Sequence, residues 1–220
     1  MKKANVCIVI PLYKENPSEL ELKSVNRARQ IFAGRDIFYV VPAGFNSSAY
    51  GYEAIIEFPT YYFQSLVNYS ELCCLHDFYD AFKDYDYMMI YQPDCWVFED
   101  KLDEFCALGY DYIGAPWPKM PGIPEDGVGN GGFCLRSVSK FMDLTRQLHS
   151  CGCHPEDRFW CIDMSDRLNI APISVAAHFS LEHQPERWFK AHGKVRPMGC
   201  HKPWIFDYKK FWKKQGVPES

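Results

Sequence analysis

An acidic residue, Asp94, follows a strongly apolar segment in the middle of the chain. The segment Tyr87–Tyr91 predicts a buried strand, and Pro93 predicts its end, because proline cannot donate a hydrogen bond to a sheet ladder. Open α/β sheets bind ligands at the carboxyl ends of their strands. We therefore expect Asp94 to point into a crevice, where its carboxylate could hold Mg²⁺ or Mn²⁺ together with substrate phosphates. Taken alone, a turn or capping aspartate is the simpler interpretation.

Two later segments carry further groups of chemical interest. The segment 129–133 contains three glycines, and Gly131 and Gly132 would let the backbone approach a ligand closely. No Gly-Lys-Ser/Thr sequence follows, so the segment is not a phosphate P-loop. Glu156 and Asp157 form a carboxylate pair that could supply a general base. The same pair could equally begin a helix, where negative charge is favoured.

The remaining candidates lie near the two ends of the chain. Pro11 and Tyr13 follow an apolar first segment, and a loop there could stack a nucleotide base on the Tyr13 ring. A plain turn explains the same residues. Near the other end, His201 is a candidate imidazole ligand and Lys202 a candidate phosphate contact. The chain has seven histidines, and a single histidine is more often structural than catalytic.

Apolar periodicity predicts the elements that must position these residues. The predicted strands are 6–12, 37–41, 55–58, 87–91, 111–114 and 132–136, and 170–172 and 175–179 are shorter extended pieces. The predicted helices are 18–33, 65–82, 100–108 and 138–149, and 116–132 is a loop region rich in proline and glycine. This alternation predicts a doubly wound α/β fold with a mostly parallel sheet, formed by a single domain over residues 1–220.

Composition narrows the class of protein. The 220 residues are 47% hydrophobic and 16% aromatic, which is enough for a substantial core. A net charge of −4 argues against nucleic acid as the main partner, because surfaces that follow phosphates are usually basic. The ten cysteines are scattered and often lie in apolar runs, as reduced buried thiols do. With no recognisable signal peptide and no apolar run of ~20 residues, we expect a cytoplasmic protein.

The segment 204–220 interleaves aromatic side chains with lysines. Such a segment can lie on an anionic membrane surface. That location, at the inner face of the membrane, would suit an enzyme that acts on a lipid-linked glycan. The alternative is a last helix whose rings pack on the domain.

Taken in order, these segments resemble the DUF5672 family, whose members are similar to glycosyltransferases of the GT-A type. The resemblance spans about residues 5–205. It is carried by Ile90-Tyr91-Gln92-Pro93-Asp94, Gly109-Tyr110-Asp111-Tyr112-Ile113-Gly114-Ala115-Pro116-Trp117, Val128-Gly129-Asn130-Gly131-Gly132-Phe133-Cys134-Leu135-Arg136, Pro155-Glu156-Asp157, Glu182 and Gly199-Cys200-His201. It implies a GT-A fold and a hexosyltransferase. The implied donor is a nucleotide diphosphate sugar, with UDP expected, and the implied acceptor is a hydroxyl of a glycan or lipid-linked glycan, as in surface polysaccharide assembly.

The resemblance also implies roles for individual residues. Gln92 stands where the GT-A motif Asp-X-Asp has its first carboxylate, so Asp94 is the implied ligand of Mn²⁺ or Mg²⁺. Gln92 is then an implied contact to the ribose or to a water on the metal. His201 is the implied late ligand of the metal or the diphosphate. Glu156 and Asp157 match the acidic motif of inverting enzymes, in which Asp157 would be the base.

Further contacts complete this hypothesis. Arg136 is a candidate positive contact, and Trp117 or Trp160 is a candidate stacking platform for a sugar. Retention of the anomeric configuration is the mechanistic alternative to inversion.

Three other functions stay open. A nucleotidyltransferase would share the sheet and the metal, but it usually needs more carboxylates and a basic glycine-rich loop after the first strand. A non-catalytic sugar-binding domain would need neither the carboxylate pair nor Asp94. A zinc site at Cys151, Cys153 and His154 would be compact but lacks a clear second pair of ligands.

Overall fold

A computed structural model describes residues 4–119, 122–123, 127–148, 152 and 155–219. The strands are β1 (Val6–Pro11), β2 (Ile37–Pro42), β3 (Ala54–Phe58), β4 (Tyr87–Tyr91), β5 (Cys95–Val97), β6 (Tyr112–Ile113), β7 (Ala115–Pro116), β8 (Val128–Gly129), β9 (Phe133–Ser137), β10 (Ser180–Leu181) and β11 (Gly199–His201). The helices are α1 (Glu19–Ile31), α2 (Leu66–Leu72), α3 (His76–Asp80), α4 (Leu102–Ala107), α5 (Val138–Thr145), α6 (Glu156–Arg158), α7 (Ile173–Phe179) and α8 (Pro185–Ala191). A π-helical turn, Phe159–Asp163, continues α6.

Six strands form the central sheet in the order β3-β2-β1-β4-β9-β6. The strands β3, β2, β1 and β4 run parallel, and β9 runs antiparallel to both of its neighbours. The predicted α/β fold with a mostly parallel sheet is therefore confirmed. Because β9 is reversed, the carboxyl end of β4 meets the amino end of β9, and Tyr91 pairs with Phe133.

The two faces of this sheet carry separate apolar clusters. Side chains alternate along a strand, so Ile8 and Ile10 of β1 pack toward α1 while Cys7 and Val9 pack toward α2, α3 and α5. All six residues of β1 are buried. This explains why the first strand reads as an unbroken apolar run, as expected of a strand covered on both faces.

Two smaller sheets extend the carboxyl edge of β4. In the first, β10, β11 and β5 lie side by side, and β11 pairs antiparallel with β5 so that His201 lies opposite Cys95. In the second, β7 pairs with β8 and Ala115 lies opposite Gly129. The region 116–132, predicted as a loop, thus begins at the end of β7 and contains β8.

Two predicted elements are wrong in detail. The long helix 65–82 is divided into α2 and α3, because the chain turns at Cys73. The Cys73 carbonyl accepts hydrogen bonds from the Tyr79 hydroxyl at 2.7 Å and from the Trp160 indole at 3.3 Å. The extended piece 175–179 belongs instead to α7, whose first turn follows Pro172. Short apolar runs do not distinguish a buried strand from a buried helix by periodicity alone.

The described cysteines behave as the composition predicts. Eight of the ten fall within the described residues, and all eight are buried and free. Within these same parts of the chain, no helix is long and apolar enough to cross a membrane. Cys151, Cys153 and His154, the candidate zinc ligands, lie outside the described residues.

The aromatic rings near the end of the chain pack on the domain. Phe211 and Trp212 are buried in a third apolar cluster, and the Trp204 indole donates a hydrogen bond to the Pro218 carbonyl at 2.9 Å. Among its described residues, the helical part of this segment is a short 3₁₀ turn, Trp212–Gln215. The packing interpretation is confirmed for these rings, and contact with a membrane stays a prediction.

Replacing Trp212 tests this packing. Trp212 is fully buried and stacks on Phe98 with ring centroids 6.2 Å apart. We expect Trp212→Ala to lower the free energy of unfolding by roughly 3–5 kcal/mol, because a large cavity replaces the ring. Ile205→Ala is the matched control, since Ile205 is 68% exposed. Urea unfolding would measure both, and an equally small loss from the two variants would contradict the packing.

Candidate active site

A cleft of about 350 Å³ opens where β4 ends and β9 begins. The predicted site residues that line it are Gln92, Gly131, Gly132, Glu156, Asp157, His201 and Lys202. A larger cleft of about 480 Å³ lies beside α2, α3 and α5 and is lined by other residues, including His76 and Arg146. Because the 350 Å³ cleft gathers predicted site residues from parts of the chain as far apart as Gln92 and Lys202, it is the candidate active site.

Three side chains form an acid–histidine–acid cluster at one end of this cleft, where His201 and Glu182 belong to the lining and Asp94 lies behind His201, outside the lining. The Nε2 atom of His201 lies 3.2 Å from Oδ1 of Asp94, and its Nδ1 atom lies 3.1 Å from Oε1 of Glu182. The His201 and Glu182 side chains are 5% and 10% exposed, whereas that of Asp94 is 40% exposed. The β5–β11 pairing produces this contact, because it brings His201 opposite Cys95, the residue after Asp94.

The charges of these three groups stabilise one another. Burial by itself lowers the pKa of His201, but the neighbouring carboxylates of Asp94 and Glu182 outweigh it and raise the pKa to about 9. Burial by itself raises the pKa values of Asp94 and Glu182, and the proximity of His201 holds both below their ordinary values. In the metal-free protein the cluster therefore carries two carboxylates and an imidazolium at neutral pH.

The donor set of this cluster fits a divalent cation. Oδ1 of Asp94 and both ring nitrogens of His201 are buried and have no hydrogen-bond partner of good geometry among the described residues. A carboxylate oxygen and an imidazole nitrogen suit Mn²⁺ well, whereas Mg²⁺ prefers oxygen alone. The Cys95 thiol lies nearby. It is a poor ligand, because it donates to the Gly132 carbonyl at 3.1 Å and burial raises its pKa well above the ordinary value.

The glycine segment is required by close packing around the cluster. A Cβ atom on Gly132 would collide with Nε2 of His201 and would lie 2.7 Å from Oε1 of Gln92. A Cβ atom on Gly131 would collide with Oε1 of Glu156. Both glycines are therefore needed so that the backbone can pass between side chains of the site.

Glu156 forms a buried ion pair. Its two oxygens accept hydrogen bonds from Nη2 of Arg136 at 2.9 and 2.8 Å, and Arg136 also donates to the Tyr79 hydroxyl at 2.8 Å. The side chains of Arg136 and Glu156 are 0% and 5% exposed. Arg136 is thus paired with Glu156 inside the protein and is not the positive contact predicted for a substrate. A catalytic role for Glu156 stays a prediction.

Asp157 faces the cleft from the next position. Its Oδ2 accepts a hydrogen bond from the backbone N–H of Asn130 at 2.9 Å, and its Oδ1 accepts one from the backbone N–H of Arg158 at 3.0 Å. Burial raises its pKa, the Asn130 hydrogen bond lowers it, and the charge of Glu182 raises it further, so the net shift is upward. Asp157 is partly buried, and a carboxylate with a raised pKa is a stronger base than one with the ordinary value.

Gln92 and Lys202 lie beside the cluster. The backbone N–H of Gln92 donates a hydrogen bond to the Gly132 carbonyl at 2.8 Å, which joins the end of β4 to the glycine segment. Lys202 has a left-handed backbone with φ of 49°, and its amide donates to the Asp94 carbonyl at 2.9 Å. Its side chain lines the cleft, and its positive charge contributes to the lowered pKa values of Asp94 and Glu182.

Three predicted binding residues, Pro11, Tyr13 and Asp94, do not line the cleft, although Asp94 contacts His201, which does. Pro11 is buried at the end of β1, two positions beyond the Val9–Ile90 pair, and pairs with Val40 of β2. Tyr13 is 58% exposed, and neither it nor Pro11 lines the described cleft. Their contact with a nucleotide stays a prediction.

The stacking prediction has different outcomes for the two tryptophans. Trp160 is fully buried among Phe141 and Phe159, so it is a core residue and was wrongly predicted as a stacking platform. Trp117 does line the cleft, where Gly129 packs against its indole.

Sequence reasoning missed the position of Glu182 in the site. Glu182 follows the short buried strand β10. This strand has only two residues, and one of them, Ser180, is polar, so no apolar run singles out Glu182. The neighbouring strand β11 pairs with β5, which is distant in sequence. Tyr69 and Asn130 also line the cleft.

Comparison with solved structures identifies the fold as GT-A. The galactosyltransferase LgtC in complex with donor and acceptor sugar analogs matches with a TM-score of 0.53 and 12% identity over 97% of this chain and 98% of that chain. An active-site mutant of LgtC matches with a TM-score of 0.55 and 14% identity, covering 97% and 98%. A glycosyltransferase involved in glycosylation of the major capsid of PBCV-1 matches with a TM-score of 0.56 and 11% identity, covering 97% and 100%.

The sequence also matches a family model. Residues 53–201 match the family described as "Protein of unknown function (DUF5672)", which covers more than half of the chain. The protein belongs to this family. No curated protein matches the sequence.

Gly132→Ala tests the packing around the cluster. The added methyl group would collide with the buried ring of His201 and displace it, so we expect Mn²⁺ affinity to fall by about tenfold or more. Gly34→Ala is the matched control, because a Cβ atom there meets nothing within 4 Å. Electron paramagnetic resonance of free Mn²⁺ would measure the affinity, with circular dichroism to confirm folding. Equal affinity in the two variants would contradict this account of the glycine.

The pH dependence of stability tests the His201 cluster. The folded pKa of about 9 lies above the ordinary value of 6.5, so the cluster's contribution is complete below pH 6.5 and is lost as pH rises toward 9. In excess chelator, the free energy of unfolding should fall across this window by up to roughly 3 kcal/mol relative to the His201→Gln variant. Denaturant unfolding at a series of pH values would measure the difference. Parallel curves for the two proteins would exclude the raised pKa.

Proposed function

We propose that this protein is a metal-dependent glycosyltransferase. In this proposal it moves a hexose from a UDP-sugar to an acceptor hydroxyl with inversion, and the acceptor is a glycan or lipid-linked glycan of surface polysaccharide assembly. The observation that carries the proposal is that a candidate cation site, Asp94 and His201, adjoins a cleft lined by the Lys202 side chain and by Asp157, a partly buried carboxylate of raised pKa. The likeness in fold to the galactosyltransferase LgtC, solved with donor and acceptor sugar analogs, supports glycosyl transfer in general.

The donor diphosphate would bind at the Asp94 end of the cleft. Asp94 and His201 would hold Mn²⁺, or less favourably Mg²⁺, which when bound supplies Lewis-acid stabilisation of the negative charge on the diphosphate. Lys202 adds a positive charge that needs no metal. Gln92, which stands in place of a second carboxylate, lies beside His201 and would hydrogen-bond the ribose.

The acceptor would bind at the Asp157 end. Asp157 removes the proton from the acceptor hydroxyl as that oxygen forms a bond to the anomeric carbon. The bond from this carbon to the diphosphate oxygen breaks at the same time, and its electron pair leaves with the nucleoside diphosphate. Each Asp157 oxygen accepts one backbone hydrogen bond and retains a second lone pair for the acceptor proton.

The Asn130 and Arg158 amides orient the Asp157 carboxylate. Gly131 and Gly132 keep the backbone between the two ends of the cleft free of side chains. In this proposal Glu156 acts through its ion pair with Arg136, which fixes the segment that carries Asp157.

Replacing Asp157 tests the assignment of the base. We expect Asp157→Asn to lower kcat by ~10²–10⁴, the usual contribution of a general base, while donor binding changes little. Asp163→Asn, at an exposed position of the same segment, is the matched control. A panel of nucleotide sugars screened for Mn²⁺-dependent thermal stabilisation, followed by kinetics with the stabilising donor, would measure both effects.

The outcomes of that screen separate the competing functions. Full activity of Asp157→Asn would refute its role as the base. Stabilisation by sugars without any donor hydrolysis would identify a sugar-binding domain, and release of pyrophosphate from a nucleoside triphosphate would identify a nucleotidyltransferase. An NMR time course of the anomeric signal would distinguish inversion from retention.

A further inference from the structure

We propose that Glu182 is a positioning residue that fixes the ring of His201 so that Nε2 faces the cation site. Neither the sequence motifs nor the fold likeness assigns a role to this carboxylate. The inference rests on the proposed function, because it concerns how the proposed cation site is built. It nevertheless makes a claim of its own, since a histidine could bind the cation without any help from Glu182.

The geometry gives Glu182 access to one side of the ring only. Oε1 of Glu182 lies 3.1 Å from Nδ1 of His201, while Oδ1 of Asp94 lies 3.2 Å from Nε2 on the other side. Glu182 is 7% exposed, and it directly follows β10, the immediate neighbour of β11, which carries His201. Two adjacent strands of one sheet therefore hold the carboxylate and the imidazole together.

The two carboxylates are not equivalent. The Asp94 side chain is 40% exposed and can give its charge to a cation, whereas Glu182 is largely enclosed. Once a cation neutralises Asp94, Glu182 is the remaining carboxylate in contact with the ring. Oε1 of Glu182, 3.1 Å from Nδ1 though not in ideal hydrogen-bond geometry, would then favour the ring proton on Nδ1, which would leave the Nε2 lone pair for the cation.

The surroundings of Glu182 support this single role. His183 lies 3.9 Å from its Oε2, beyond hydrogen-bond distance, and Lys202 and Asp157 act on it only through their charge. His201 is thus its nearest charged partner among the described residues. A carboxylate that orients a ligating histidine commonly strengthens metal affinity by about 10–100-fold.

Mn²⁺ affinity measured without any sugar substrate tests the proposal. The probe is Mn²⁺ alone, followed by electron paramagnetic resonance, on the full chain and three variants. We expect Glu182→Ala to weaken binding by ~10–100-fold. We expect Glu182→Gln to weaken it less, because its carbonyl oxygen can still accept from Nδ1–H. Glu186→Gln is the matched control, since Glu186 lies on α8 four residues away and pairs with Lys190 at 2.8 Å.

A spectroscopic measurement separates positioning from a merely structural effect. With Zn²⁺ as a diamagnetic substitute for Mn²⁺, ¹⁵N NMR of the His201 ring should show a protonated Nδ1 in the wild-type chain and in Glu182→Gln. In Glu182→Ala this single state should be lost. Either an unchanged Mn²⁺ affinity or an unchanged Nδ1–H signal in Glu182→Ala would overturn the proposal.

A His201→Ala variant shows whether a negative result contradicts only the role of Glu182 or also contradicts the proposed function. If His201→Ala loses Mn²⁺ binding but Glu182→Ala keeps it, the cation site stands and the role of Glu182 is refuted. If His201→Ala binds Mn²⁺ as the wild type does, the cation site itself is elsewhere, and the proposed function and this inference both fail.

Discussion

The buried ion pair between Arg136 and Glu156 is the interaction on which the arrangement of the site depends. A guanidinium with no exposed surface requires a counter-charge, because an unpaired buried charge costs several kcal/mol. Glu156 supplies it and must therefore lie inside the domain, against Gly131. Asp157, the next residue, is carried to the cleft as a consequence, and Gly131 cannot bear a side chain without displacing Glu156.

The reversed direction of β9 is the second constraint. A parallel strand in its place would carry its first residues to the opposite edge of the sheet, far from Gln92 and Asp94. The antiparallel pairing instead joins the end of β4 to the glycine segment, and the Gln92–Gly132 hydrogen bond closes that junction. The pairing of β5 with β11 then adds His201 to the same edge, so one small region collects groups from the middle and the end of the chain.

Electrostatics divides the cleft into two ends with different chemistry. At one end, two carboxylates surround His201, and Lys202 offsets part of their charge, which is an environment suited to a cation and an anionic diphosphate. At the other end, Asp157 is partly buried and its pKa is raised, which favours proton transfer. Glu182 influences both ends of the cleft. It contacts His201 at the first, and its charge contributes to the raised pKa of Asp157 at the second.

The sequence by itself determined the local features of this protein. The apolar run before Pro93 determined a buried strand ending near Asp94, the alternation of runs determined the α/β class, and the glycines of 129–132 determined a close backbone approach. These follow from short-range propensity and burial. Only the tertiary structure decided that Arg136 and Trp160 serve the core, that the helix 65–82 is broken, and that Glu182 contacts His201. Those outcomes depend on side chains packed across strands that are distant in the chain, and local patterns do not encode which distant partner a buried charge or ring will find.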